Sequence, residues 1–204
     1  MTIADEPGAW SATGFKVDGG ICELGNVRLH LAGRDAGKGL VAWSLRDVAG
    51  ADLDGLRTTV SDRPPAEDPI MHPNGVTGID HVVVLTPVLE RTTALLQRAG
   101  LDLRRIREEP TPAGAPRQAF FRLGDVILEV IQEPEEAIAK AGGADRPAFL
   151  WGVALIAPDL EATVARLGEH VGEIRTAIQP GRRIATLRRS AGLGLPVAVM
   201  TPPR

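Results

Sequence analysis

The stretch IDHVVVLTPVLE, from Ile79 to Glu90, decides the fold because LWGVALIAPDLE, from Leu150 to Glu161, repeats its pattern. Each copy has an apolar run of strand length, then a proline, then Leu-Glu at the start of a helical pattern. A repeat of this kind marks a supersecondary unit that packs against its own copy. The groove between two such units is a common place for a ligand.

The remainder of each copy is also repeated. RQAFFRLGDVILEVI, from Arg117 to Ile131, resembles RIATLRRSAGLGLPVAVMT, from Arg183 to Thr201. The offset between copies is 71 residues at the first strand, 66 at the third and 70 at the last, so it changes only at loops. Gly124-Asp125, between two short apolar runs, is a hairpin signal. Each copy is therefore predicted to form a β-α-β-β-β unit.

Two stretches without apolar periodicity divide the chain. Residues 61–76 contain four prolines and are predicted to be a linker or long surface loop. A second break precedes residue 147. The predicted organisation is a first complete module at 77–134, a second at 147–204, and a partial βαβββ-like segment at 10–60.

The N-terminal segment looks like fragments of the same pattern. ELGNVRLHLAG, from Glu23 to Gly33, aligns with the last two strands of the 77–134 module at an offset of 99 residues. GLVAWSLRDVAGADLDGL, from Gly39 to Leu56, predicts a new first strand followed by the start of a helix. This segment is therefore expected to supply strands rather than a complete third module.

Composition excludes several classes of function. The net charge of −3 gives no electrostatic case for binding nucleic acid or an anionic membrane. Aromatic residues are only 3% and tyrosine is absent, which disfavours stacking on single strands. Cys22 is the single cysteine and is predicted to be a buried bystander in a reducing compartment. With neither a signal peptide nor a membrane span in the sequence, a cytoplasmic protein is expected.

The paired units resemble a known superfamily. The motifs GIDHVVVLTPVLER, from Gly78 to Arg91, and FFRLGDVILEV, from Phe120 to Val130, are similar to the vicinal oxygen chelate superfamily. That superfamily includes glyoxalase I, extradiol dioxygenases, methylmalonyl-CoA epimerase and bleomycin-resistance proteins. The resemblance implies an α+β fold of glyoxalase-like half-barrels that enclose a small-molecule cavity. It is informative about fold rather than reaction, because one fold hosts many chemistries.

The resemblance also implies a divalent metal held by the first and last strands of the modules. His81 and Glu129 match those positions in the first module, whereas Gly152 and Val199 in the second have no side-chain donor. The predicted site is therefore one-sided, with Glu129 also moving a proton. The alternative is a His-Glu pair, or an Arg-paired Glu, in a metal-free cavity, because two protein ligands are few for a metal.

His30 is the predicted third metal ligand. By the 99-residue offset it occupies the position of Glu129 in the partial N-terminal segment. His30, His81 and Glu129 together have the composition of a two-His-one-carboxylate site. The alternative for His30 is a strand histidine with a satisfied hydrogen bond. His72 and His170 are predicted to face solvent.

Several functions are compatible with this resemblance. One is a metal-dependent lyase, isomerase or dioxygenase acting on a small oxygenated metabolite. The other two are a non-catalytic protein that sequesters a small apolar compound and an interaction module with a filled cavity. No organic cofactor is predicted, and modules of this family pair within a chain or across a homodimer. Arg182, Arg183, Arg188 and Arg189 are predicted to be solvated strand edges, with anion binding as the alternative.

Overall fold

The computed structural model describes residues 1–49, 52–64, 70–112 and 114–203, so part of the predicted linker, residues 65–69, lies outside the described residues. The strands are β1 (Thr2–Ile3), β2 (Ile21–Leu24), β3 (Val27–Leu31), β4 (Leu40–Leu45), β5 (Thr58–Val60), β6 (Gly78–Thr86), β7 (Asp102–Arg107), β8 (Gln118–Leu123), β9 (Val126–Gln132), β10 (Phe149–Ile156), β11 (Arg175–Thr176), β12 (Arg183–Thr186) and β13 (Val197–Met200). The α-helices are α1 (Pro7–Ala12), α2 (Leu89–Arg98), α3 (Glu135–Lys140) and α4 (Leu160–Leu167).

The chain forms two compact units. The first contains Met1–Val41, Pro64–Asp80 and Gly152–Arg204, and the second contains Ala42–Arg63 and His81–Trp151. Most of the first complete module therefore belongs to the second unit. Most of the second module belongs to the first unit, together with the beginning of the N-terminal segment.

Both units contain the predicted β-α-β-β-β arrangement. In the second unit the strand order is β6-β9-β8-β7, and α2 follows β6 along the chain. In the first unit the corresponding order is β10-β13-β12-β11, and α4 follows β10. The first and last strands of each module are parallel and their other pairs are antiparallel. The mixed α+β architecture predicted from the repeat is confirmed.

The two faces of the second unit's strands differ in burial. One face is buried, and α2 contacts β7, β8 and β9. The residues of the buried face are Val82, Val84, Ala119, Phe121, Leu128 and Val130. The other face, here called the open face, is half-buried and carries His81, Leu85, Phe120, Ile127, Glu129 and Ile131. Because side chains alternate along a strand, this difference follows directly from the sequence pattern.

The segment after β4 differs from the prediction. β4 and β5 are parallel, but no helix begins among residues 46–49 and 52–57. Instead Asp54 adopts a left-handed φ of 58° and is buried. Its carboxylate accepts hydrogen bonds from Arg91 Nε at 2.8 Å and Thr92 Oγ1 at 2.5 Å. These contacts with α2, far along the chain, hold the segment in a loop, and local periodicity does not reveal them.

Each unit contains one buried tryptophan. In the first unit, Trp10 Nε1 donates to Asp5 Oδ2 at 3.0 Å, and its ring centroid lies 5.0 Å from that of Phe15. In the second unit, Trp43 Nε1 donates to Thr58 Oγ1 at 2.6 Å. Trp151, near the start of β10, is 42% exposed. The two buried rings are held by polar partners as well as by packing.

His72 is buried rather than solvent-facing, which corrects the prediction. It is only 4% exposed in the first unit. The Lys16 backbone N–H donates to Nδ1 at 3.0 Å, and Nε2 lies 2.8 Å from the Glu23 carbonyl oxygen. The Phe15 ring packs against the imidazole at 5.4 Å. These contacts require a neutral ring with its proton on Nε2, because Nδ1 acts as an acceptor.

Stability is therefore expected to depend on pH through His72. Burial, with a smaller effect from Lys16, lowers the pKa of His72 below its ordinary value of 6.5, although the Glu23 carbonyl opposes the shift. The unfolded chain then binds the proton at higher pH, so this stabilisation is complete above about pH 6.5 and falls as the pH drops toward the folded-state pKa. Urea unfolding between pH 5 and 8 should show that the free energy of unfolding falls as the pH is lowered. This group should contribute at most about 1.4 kcal/mol per pH unit. The decline should shrink in His72→Gln, and an identical pH profile for that variant would contradict the assignment.

No helix among the described residues is both long enough and apolar enough to cross a bilayer.

Candidate functional site

The second unit places His81 and Glu129 side by side on the open face. β6 and β9 are parallel, with Val83 opposite Glu129 and His81 opposite Ile127. Residues opposite each other in a ladder project to the same face. His81 Nε2 lies 3.4 Å from Glu129 Oε2, and each side chain is 12% exposed. The two residues that the sequence singled out therefore form one partly accessible polar site.

Gln118 completes this cluster and was not predicted. It is 3% exposed on β8, where it lies opposite Ile131 of β9. Its Nε2 donates a hydrogen bond to Glu129 Oε1. The only sequence signal is that Gln118 alternates with Phe120 on an otherwise apolar face. A polar residue at that position predicts a partner on the neighbouring strand, although it does not identify Glu129.

The cluster explains how Glu129 is accommodated between Ile127 and Ile131. A carboxylate in apolar surroundings is costly unless it is hydrogen-bonded or paired. Gln118 and His81 supply those contacts. The Gln118 side-chain oxygen, by contrast, is buried and has no hydrogen-bond partner. The site thus contains an imidazole, a carboxylate and an unsatisfied amide oxygen.

His30 lies elsewhere, in β3 of the first unit. It is exposed and pairs in register with Ile21 of β2 and Thr2 of β1. Burial, the N-terminal ammonium and Arg28 lower its pKa. Across the described ranges, no three His, Cys, Asp or Glu side chains are arranged to hold a metal ion. His30 belongs to the first unit and His81 and Glu129 to the second, and a ligand role for His30 stays a prediction.

The second module has no room for the missing ligand. An added Cβ at Gly152 would lie 2.5 Å from the Pro196 carbonyl oxygen, closer than real Cβ atoms approach. Val199, at the position of Glu129, is fully buried and pairs with Leu155 and Ala185. Close packing of main chain and apolar side chains therefore replaces the metal-ligand positions in this module.

Cys22 and Arg182 have structural roles. Cys22 is buried and unbonded, and burial raises the pKa of its thiol to about 12, which is unsuited to nucleophilic chemistry at neutral pH. Arg182 is 8% exposed, which corrects its prediction as a solvated strand edge. Its guanidinium binds the Asp80 carboxylate through two nitrogens and donates from Nε to the Thr201 carbonyl oxygen at 2.8 Å.

Solved structures with a similar fold include methylmalonyl-CoA epimerases. The Mycobacterium tuberculosis enzyme is 21% identical, with a TM-score of 0.52, over 64% of this chain and 91% of that one. A Streptomyces coelicolor epimerase variant, in complex with 2-nitronate-propionyl-CoA, is 20% identical, with a TM-score of 0.51, over 63% and 99% of the two chains. Neither a family model nor a curated protein sequence matches. At these identities the comparison establishes a shared fold, and the fold predicted from the paired motifs is confirmed.

Proposed function

We propose that this chain, which has the vicinal oxygen chelate fold, binds a small oxygen-bearing molecule on the open face and acts on it as an isomerase- or lyase-type enzyme. The observation that carries the proposal is the pairing of His81 Nε2 and Glu129 Oε2 at 3.4 Å, with Gln118 bonded to the same carboxylate. Both polar groups are half-buried, so a ligand can reach them while bulk water is largely excluded. A polar cluster in an otherwise apolar face is the usual form of a small-molecule site.

The residues present suit a divalent metal ion. Imidazole nitrogen and carboxylate oxygen are common ligands, and two ligands of one ion with bonds near 2.1 Å lie about 3.0–3.4 Å apart. The separation between His81 and Glu129 falls in that range. The buried, unsatisfied oxygen of Gln118 is a third donor of suitable chemistry. We infer that His81 and Glu129 hold the ion, with Gln118 supporting Glu129 or joining the ligand set.

A bound divalent ion would supply Lewis acidity toward a substrate oxygen. Glu129 would accept a proton from the carbon next to a carbonyl and return it, which is the chemistry of isomerases and lyases. Gln118 fixes one carboxylate oxygen and thereby orients the other toward His81. The apolar side chains of Leu85, Ile127 and Ile131 limit access of water to the same atoms. Methylmalonyl-CoA is the first substrate to test, because the structural neighbours are epimerases of that compound.

Metal content tests the ligand set. Protein prepared without chelator is expected to bind a divalent ion, and His81→Ala and Glu129→Gln should weaken its affinity by about a hundredfold or more. The measurement is elemental analysis with a competition titration. His30→Ala is the matched comparison: unchanged affinity supports the two-residue anchor, and an equal loss would restore the predicted three-ligand set. Full affinity in both His81→Ala and Glu129→Gln would refute the site.

A non-catalytic binding function is the second candidate. It is favoured by the close packing at Gly152 and Val199, because the second module offers no side chain to complete a four-ligand site. Proton exchange in deuterated water separates the two functions. An enzyme should exchange the proton next to the thioester carbonyl of methylmalonyl-CoA, and the exchange should stop in Glu129→Gln. A thioester that binds without exchange at any pH would favour sequestration.

A further inference from the structure

The edge strand β7 contains a bulge close to the candidate site. Leu103 pairs with Phe121 of β8, but the next partner, Phe120, pairs with Arg105, so Arg104 is the extra residue. In an unbroken register, Arg104 would stand opposite Phe120 and Ile106 opposite Gln118. Bulges shift which side chains project to a given face, and they are frequent beside active sites.

The bulge places two arginines on the open face. Arg105 lies opposite Phe120, and Arg107 lies opposite Gln118. Phe120 in turn lies opposite Glu129 on β9. Because opposite residues share a face, Arg105, Phe120 and Glu129 form one row across three strands. With strands about 4.8 Å apart, the main chains of Glu129 and Arg105 are about 10 Å apart.

These two guanidinium groups are available to a ligand. Among the residues that the structure describes, Arg107 has one ion-pair partner, Glu109, at 3.9 Å, and the Glu109 side chain is 75% exposed. Such a solvated ion pair contributes little to stability, so a ligand can readily replace Glu109 as the partner of Arg107. The Arg105 side chain makes no hydrogen bond or ion pair with any residue within the described ranges. Arg104, in contrast, is paired with Asp102 at 3.0 Å.

The remaining charges on this face do not cancel the arginines. Asp102 and Arg122 lie opposite each other at the end of β7 and β8 that is away from their connecting loop, and Asp102 is already paired with Arg104. Arg122 Nε donates to the Gly124 carbonyl oxygen. Glu129 is held by Gln118 and His81. A patch of positive charge therefore lies beside the cluster.

Arginines also protect edge strands from pairing with other chains. That role requires only that the charges lie on the edge, whichever face they occupy. A bulge can serve the same role by twisting an edge strand away, but edge protection does not require Arg107 rather than Ile106 beside Gln118. It also predicts that Arg104, Arg105 and Arg107 are equivalent, whereas ligand binding predicts that Arg104 differs.

We propose that Arg105 and Arg107 bind an anionic group of the ligand, a carboxylate or a phosphate, that lies within about 10 Å of the atoms held at His81 and Glu129. Arginine holds both groups through two parallel hydrogen bonds, which fixes orientation as well as charge. The ligand is thus an anionic molecule with an oxygen-bearing reactive end. The assignment of that reactive end rests on the function proposed above.

Two matched pairs of probes test the anionic group. 2-Hydroxyglutarate and 2-hydroxybutyrate share a 2-hydroxy acid end, and only the first has a distal carboxylate. 3-Phosphoglycerate and glycerate differ in the same way by a distal phosphate. Calorimetric titration of metal-loaded protein at low salt is expected to show about ten- to a hundredfold tighter binding for the member with the distal anionic group, here called the anionic probe, in at least one pair. The pair that shows the difference identifies carboxylate or phosphate.

Charge-removing variants assign the effect to residues. Arg105→Gln and Arg107→Gln should each lower the affinity for the probe with the distal anionic group by about tenfold and leave the affinity for its counterpart without that group unchanged. Arg104→Gln removes the same charge from the same strand and should keep full affinity. Equal losses in all three variants, equal binding within both pairs, or no binding of either anionic probe at millimolar concentration would overturn the proposal.

A separate readout keeps this proposal distinct from the metal site. Arg105→Gln and Arg107→Gln should retain the metal content of the unmodified protein. His81→Ala should lose metal and keep the preference for the anionic probe, although both members bind more weakly. If His81→Ala loses the metal but still prefers the anionic probe, both sites are supported. If the preference is lost in His81→Ala together with the metal, but is kept in Arg105→Gln and Arg107→Gln, the arginine site is contradicted.

Discussion

Replacing Arg182 by methionine is expected to lower the free energy of unfolding by about 3–5 kcal/mol. Arg182 and Asp80 are each 8% exposed, and the guanidinium binds the carboxylate through both terminal nitrogens. It also binds the Thr201 carbonyl oxygen. Removing the cation leaves a buried carboxylate and a main-chain acceptor without this partner, and that desolvation cost produces the large effect. Urea unfolding at neutral pH measures the change.

Arg183→Met is the matched control. Arg183 is the next residue along the chain, and its partner Glu161 is 58% exposed. Pairs of this kind contribute about 0–1 kcal/mol, so the control should unfold almost as the unmodified protein does. The double variant Asp80→Leu, Arg182→Met removes both charges and should recover part of the stability lost in Arg182→Met. If the double variant loses more free energy of unfolding than the two single variants lose together, the buried-pair explanation is contradicted.

Gly152→His is the second change with a large expected effect on stability. It places a histidine at the position that corresponds to His81 in the first module. The variant is expected to lose more than about 3 kcal/mol, above the usual range for overpacking. The reason is that the first side-chain carbon already collides with the Pro196 carbonyl oxygen at 2.5 Å. That oxygen also accepts the Val153 N–H at 3.1 Å, so β10 and β13 cannot separate without loss of pairing. Thermal unfolding and metal titration are the two measurements.

Gly8→Ala is the control for the glycine itself. Gly8 lies in α1 of the same unit, and nothing lies within 4 Å of an added Cβ. Alanine there should stabilise the helix by about 0.5–1 kcal/mol. A Gly152→His protein that folds normally and gains metal affinity would show that the second module has kept a usable ligand position.

The fold was predictable because its signal is periodic and repeated. The strands β6 and β10 and the helices that follow them come from apolar patterns about 71 residues apart. The helix start was predictable too, because Leu-Glu follows the proline in each copy, and α2 begins at Leu89 and α4 at Leu160. Thr86 Oγ1 accepts the Val88 N–H at 3.1 Å, so its capping contact belongs to the turn before the helix.

The site was predictable only where side chains lie on strands of one module. His81 and Glu129 share a face because β6 and β9 are the first and last strands of the repeat. The environments of His72 and Arg182 depend on partners 19 to 102 residues away, and no local pattern specifies them. The role of Gln118 and the bulge at Arg104 depend on strand register, which a single-residue shift reverses. Sequence therefore locates the elements more readily than it determines their register.

The distribution of tryptophan makes the protein its own fluorescent reporter. Trp10 is buried in the first unit and Trp43 in the second, while Trp151 is 42% exposed and there is no tyrosine. Emission from the buried indoles should shift to longer wavelength as each unit opens, because the excited indole is stabilised by water. Retaining one tryptophan at a time by substituting the others with phenylalanine would resolve the order in which the two units unfold. Acrylamide should quench Trp151 in the native protein and reach the other two only after unfolding.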